Sequence, residues 1–162
     1  MTALAKAFGK KFEAHKDEIR IRSFEMNGHT FKVKVPLTVE TDLMYERLKT
    51  PNQDDVEKYY KELTSELIAN KDKATEEIKV EFQENDVVIE GRSMREAATN
   101  KALTQLRIVE MFKMLVPEEK GFDMATITYD MIEELFPFPV QLQIMEEINN
   151  VISHGYNATR GK

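Results

Sequence analysis

Proton transfer and metal ligation near neutral pH fall first to histidine, and this chain has three: His15, His29 and His154. They lie far apart, and none belongs to an HExxH or H-x-E pattern, so each is expected at the surface rather than as a ligand. Asp54, Asp55, Glu57, Glu62 and Glu66 share one face of a predicted helix and could in principle attract a hard cation. They lack the EF-hand spacing and its turn glycine, which leaves a solvated acidic face. Glu133-Glu134 and Glu146-Glu147 are adjacent on predicted helices and point in different directions, so they do not converge as acid and base. No serine sits in a GxSxG context. The ending has five residues between Gly155 and Gly161 and stops at Lys162, which excludes a P-loop. Asn157-Ala158-Thr159 is a glycosylation sequon that matters only on a secreted chain. With no cysteine there is no thiolate, disulfide or Cys-based zinc site. No catalytic, metal-binding or cofactor-binding residue is therefore assigned, and an enzyme is not expected.

What remains is apolar and adaptable chemistry. The chain has nine Met, nine Phe and five Tyr but no Trp. Thioether side chains repack easily against varied apolar partners. Met94, Met111 and Met131 read as core filler. Phe136, Phe138, Leu142 and Met145 lie in the irregular Phe136-Pro137-Phe138-Pro139 corner or off the main stripe of the last helix. These four are the predicted partner-binding residues.

The element that must position them is a helix predicted over residues 93–116. Ser93 and Glu96 form a capping-box pattern at its start. Ala97, Ala98, Ala102, Leu106, Val109, Phe112 and Val116 recur at helical spacing. Leu103, Ile108, Met111 and Leu115 widen the stripe, leaving one polar strip with Lys101, Arg107 and Glu110. Leu106 and Phe112 are expected to be almost fully buried, the small alanines to allow close approach, and Pro117 to end the helix.

Around this helix the chain alternates strands and helices. Residues 2–16 carry Leu4, Phe8 and Phe12 on one stripe among lysines, as a docking helix would. Asn27-Gly28 between alternating segments marks a type I′ hairpin, pairing Met26 with His29, Phe24 with Phe31 and Arg22 with Val33. Ile19 and Ile21 then fall on the wrong face, which predicts a β-bulge at Arg22 or Ser23. A helix with stripe Val39, Leu43, Met44 and Leu48 follows, with Thr38 as cap. A second starts with Pro51 in its first turn and buries Val56, Tyr59, Tyr60, Leu63, Leu67 and Ile68. A polar connector, 71–75, leads to a second hairpin through Ile78, Val80 and Phe82, turning at residues 84–86 and closing at Gly91. After the central helix, Thr128 caps a short helix buried through Met131, Ile132 and Leu135. The last helix runs from about Pro139 to Ser153 on Val140, Ile144, Ile148 and Val151 or Ile152. The expected architecture is a single α+β domain over 1–162. It has two β-hairpins packed with a mainly helical C-terminal half, a docking segment at 1–16 and a frayed tail at 154–162.

The net charge is −6, distributed as +4 over residues 1–34 and −10 over the rest. Such polarity can steer self-association or partner docking. It lacks the dense basic patch of a nucleic-acid binder. No apolar run is long enough for a transmembrane helix, and the lysines at positions 6, 10 and 11 interrupt any signal peptide, so a cytoplasmic protein is expected.

Three stretches together resemble one family: FKVKVPLTVETDLMYERL, VVIEGRSMREAATNKALTQLRIVEMFKMLVP and ITYDMIEELFPFPVQLQIMEEINNVI. The arrangement is similar to the tail assembly chaperones of long-tailed bacteriophages, over most of residues 24–153 and in pattern rather than in any invariant motif. The resemblance implies a small acidic protein of the host cytoplasm that acts during tail morphogenesis and is absent from the finished virion. It implies binding of the long helical tape measure protein, kept soluble while the tail tube polymerises around it, with the tail tube protein and further copies of the chain as other partners. Neither nucleic acid, membrane nor cofactor enters that role. Many such phages also make a frameshifted longer form. A structural virion or assembly component retained in the particle is the alternative. A chaperone of this kind needs an adaptable apolar groove and an anionic exterior, not a nucleotide site.

Overall fold

The computed structural model describes residues 3–69 and 80–153. The connector 71–75, Ile78, His154, the sequon and the glycine-bracketed ending lie outside them. The described residues form a mixed α+β fold, as expected, with seven helices and two antiparallel three-stranded sheets. The chain divides into two compact units, Met1–Asp42 with Ile108–Lys162, and Leu43–Arg107.

The first unit opens with α1 (Ala3–Ala7), α2 (Lys10–His15) and a 3-10 turn, Lys16–Arg20. Strands β1 (Ile21–Met26) and β2 (His29–Lys34) follow. Asn27 and Gly28 both have positive φ, 51° and 83°, as a type I′ turn requires. The register is the expected one, with Met26 opposite His29, Phe24 opposite Phe31 and Arg22 opposite Val33.

The expected bulge at Arg22 or Ser23 is not there: the ladder is continuous to Ile21 opposite Lys34. Two facts remove the parity conflict. Ile19 belongs to the 3-10 turn and is exposed, so it does not compete for the core face. Arg22 does stand on that face, and its guanidinium reaches beyond the sheet to donate to the carbonyls of Val151, at 2.6 Å, and Ser153, at 3.4 Å. These carbonyls end the last helix, where a cation is favoured by the helix dipole.

The central helix, α5 (Met94–Phe112), has 19 residues and stops short of Val116. Leu115–Val116 instead form a short strand that pairs with the free edge of β2, Val33 opposite Leu115 and Lys32 opposite Val116. The Lys34 amide donates to the Met114 carbonyl at 2.9 Å. A strand edge offers unpaired amides and carbonyls, and satisfying them outweighs one more turn of helix.

Helices α6 (Tyr129–Leu135) and α7 (Phe138–Ile152) complete this unit. Thr128 caps α6, its hydroxyl accepting from the Met131 amide at 3.4 Å. Gln141, fully buried, fixes the corner between the two helices. Its Nε2 donates to the Phe136 carbonyl at 2.8 Å, and its Oε1 accepts from the Tyr129 hydroxyl at 2.9 Å. The core joins Phe24 and Val33 of the sheet to Ile108 and Phe112 of α5 and to Ile144 and Ile148 of α7. Ser23, Glu25, Thr30 and Lys32, on the opposite face, are exposed, as in an antiparallel sheet covered on one side. Phe112 is buried as expected, but Leu106 is only partly buried. Glu110, expected on the polar strip, is 3% exposed and lies 3.6 Å from Lys113 Nζ.

Helix α3 (Thr38–Leu48) contributes residues to both units. Leu37 precedes it, with its amide held by the Glu40 carboxylate at 2.8 Å. Of its expected stripe only Met44 is fully buried, while Val39 and Leu43 are exposed. In the second unit, α4 (Gln53–Ala69) starts from Asn52, whose Oδ1 accepts from the Asp54 amide at 2.8 Å. Pro51 therefore precedes the cap instead of occupying the first turn. Val56, Tyr59 and Tyr60 pack against Ala98 and Ala102, where the missing side-chain bulk lets the elements close up. Leu63 and Ile68 remain exposed, and Thr64 takes the buried position.

The second sheet comprises β3 (Val80–Gln83), β4 (Asp86–Ile89) and β5 (Arg92–Ser93). The expected hairpin is present, and a third strand returns through Glu90 and Gly91, at φ 49° and 81°. That turn delivers Ser93 to Asp86. Ser93 Oγ accepts from the Glu96 amide at 3.0 Å and donates to the Asp86 carboxylate. Asp86 Oδ1 also accepts from the amides of Val87, at 2.8 Å, and Arg95, at 2.9 Å. The N-terminus of α5 is thus capped by two residues from different strands.

Burial alone would raise the Asp86 pKa, but the bonds from Ser93, Arg95 and Val87 and the Arg95 charge outweigh it and hold it below the usual range. A depressed folded-state pKa contributes stability that is present above the unfolded value and lost as pH falls through the folded one. The stability advantage of the native chain over Asp86→Asn is therefore expected to shrink below about pH 4, as read by urea unfolding across pH. Ile108→Ala is expected to cost about 2–5 kcal/mol in the same assay, and Leu106→Ala less than about 2, because its site is already part open.

Candidate functional site: an apolar groove

A cavity of about 400 Å³ opens in the first unit between the β2–β6 edge and α6. Each wall follows from a local sequence choice. The strand wall presents Phe31 beside Leu115 and Val116, placed there because β6 pairs with β2. The floor is Phe112 with Phe136, ring centroids 5.9 Å apart, where Gln141 holds the corner. The far wall is Met131, Ile132 and Leu135 of α6, and the loop that returns the chain supplies Phe122, Met124 and Ile127. Asp123 shapes that loop, its carboxylate accepting from the Ala125 amide at 2.9 Å. Volume and lining match a site that takes up apolar groups.

Polar groups stand only at the margin. His29 packs edge-on against Phe31, centroids 4.5 Å apart, and Lys32 and Glu118 also line the opening. Helix α6 carries Asp130, Glu133 and Glu134, all exposed, on the turns that supply the far wall. Among the described residues no group of three or more His, Asp or Glu is arranged to hold a metal ion. No helix among them is long and apolar enough to cross a membrane.

The four predicted partner-binding residues divide. Phe136 lines the groove and is half-buried. Phe138 and Leu142, 48% and 44% exposed, stand one turn apart on α7 and do not line it. Met145 is half-buried and packs against the core. Met131 and Leu135, read from the sequence as core, instead form the rim, with Leu135 73% exposed. The strand wall is out of reach of helical periodicity, because Leu115 and Val116 continue the apolar spacing of α5. The one available signal is Pro117, which disfavours helical geometry at the residue before it but does not stop a strand from ending there.

No protein-family model matches this sequence, and no characterised protein or solved structure is significantly similar to it.

The two halves of the predicted site differ in what they do for stability. Leu142→Ser is expected to change the unfolding free energy by less than about 0.5 kcal/mol. Met145→Ser should cost about 1–3 kcal/mol, since its methylenes and sulfur fill space against the core. Guanidinium titration of the two single variants checks this.

Proposed function

We propose that this chain is a non-catalytic binding protein that takes the apolar face of a helical client into the groove. In the terms of the family resemblance, it acts as a tail assembly chaperone for a tape measure protein in the host cytoplasm. One observation carries the reading: the concave surface is apolar, with four Phe and two Met among Leu, Ile and Val side chains, in a chain of net charge −6. Amphipathic helices are recognised by grooves of this kind through apolar residues at i, i+3, i+4 and i+7. Methionine and phenylalanine at the rim adjust to varied side chains, which suits a client with many similar stripes. Several copies along one long helix would together hold it far more firmly than any single contact. Phe138 and Leu142 extend the apolar surface on α7, so a client longer than the groove would have somewhere to rest.

The test is co-expression with the tape measure protein. The native chain is expected to keep the client in the soluble fraction, and Leu135→Glu with Met131→Ser should reduce the soluble amount at least about tenfold while the thermal transition stays put. Undiminished solubilisation by that variant would remove the groove from the reading. Recovery of the chain in purified particles would favour a retained assembly component instead.

A further inference from the structure

The same groove has a complementary ligand within the chain. The opening segment carries Leu4 and Phe8, 67% and 61% exposed, with Phe12 packed edge-on against Phe8 at 5.1 Å. Lys6, Lys10 and Lys11 surround them, all exposed. The segment is therefore apolar on one side and positive around it. The groove is apolar inside, and residues 108–153, which supply its floor, far wall and β6, carry nine Asp/Glu against two Lys. Lys32 and Glu118 at the opening offset each other, so the attraction for a positive segment comes from the wider acidic surface of this half of the chain.

The segment does not reach this groove in its own chain as folded. It leads into β1, which in the sheet order β1-β2-β6 is separated from β6 by β2, and no residue of 3–20 lines the groove. Gly9, at φ 96°, separates α1 from α2 and is the natural place for the segment to change direction.

We infer that the groove of one copy receives the opening segment of a second copy, Leu4 and Phe8 entering the cavity and the three lysines meeting the acidic half of the chain that builds it. The contact is heterologous, segment to groove, so it closes into a reciprocal pair or continues head to tail. Apolar insertion supplies the affinity, and the charges supply orientation and rate. In this arrangement a client helix must displace the segment, so self-association protects the groove until the client arrives. That last consequence rests on the function proposed above; the pairing itself does not.

Sedimentation velocity of the full chain over a range of concentrations tests it, with two variants changed only at exposed positions. The native chain self-associates, less at about 0.5 M than at about 0.05 M salt. Leu4→Ser with Phe8→Ser, and separately Leu135→Glu, each weaken association at least about tenfold. Mixed in equal amounts, the two variants form a one-to-one dimer and nothing larger, since one keeps its groove and the other its segment. A native chain that stays monomeric, variants that associate like it, or a mixture that fails to pair would each overturn the inference. A Leu4→Ser, Phe8→Ser chain that is monomeric but no longer keeps the client soluble would instead count against the client reading.

Discussion

The free edge of β2 governs the C-terminal half of the first unit. A two-stranded ribbon leaves an outer row of amides and carbonyls on each strand unpaired, and here residues 114–116 abandon helical geometry to meet that of β2. The consequences run outward. Helix α5 ends at Phe112, so that ring becomes a floor and not a mid-helix core residue. Leu115 and Val116 turn into a wall beside Phe31. Pro117 then leads the chain away from the sheet, and the loop through Phe122 and Met124 returns it to α6. Had the helix continued to Val116, the strand wall of the groove would not exist.

Four polar side chains complete the ends of elements within the two units. Arg22 closes the C-terminus of α7, Gln141 fixes the corner before it, and Asp86 with Ser93 starts α5. Unpaired groups at helix ends are costly when buried, so a side chain that satisfies them contributes more than its own contacts suggest. All four sit where a hydrophobic pattern calls for an apolar residue or is indifferent.

This explains what could be read from the sequence. Type I′ chemistry at Asn27-Gly28 gave the hairpin and its register, because both positions need a backbone that few other pairs tolerate. The α+β class followed from where period two gives way to period three and four. The bulge does not follow, because parity over apolar residues overlooks that Arg22 can occupy the core face and satisfy its guanidinium at the end of α7. Gly91 reads from the sequence as the end of a strand, whereas the positive φ of Glu90 and Gly91 makes the pair a second hairpin turn. Of the site, Phe136 was legible as an apolar residue in an irregular corner. Met131 and Leu135 were not, since a short amphipathic helix shows its apolar face equally whether that face meets a core or a groove. The strand wall needed a pairing between residues some eighty positions apart, which no local pattern carries.

The central claim is that an apolar helical face enters the groove between β6 and α6, and methyl NMR of the methionines tests it most directly. Met124 and Met131 line the groove, Met145 lies against the core beneath α7, and Met44 is buried in the second unit. On titration with an amphipathic segment of the tape measure protein, the account predicts shifts at Met124 and Met131 that saturate together, with Met44 unmoved. Saturating shifts at Met145 with Met124 and Met131 unchanged would place the client on α7 and contradict it.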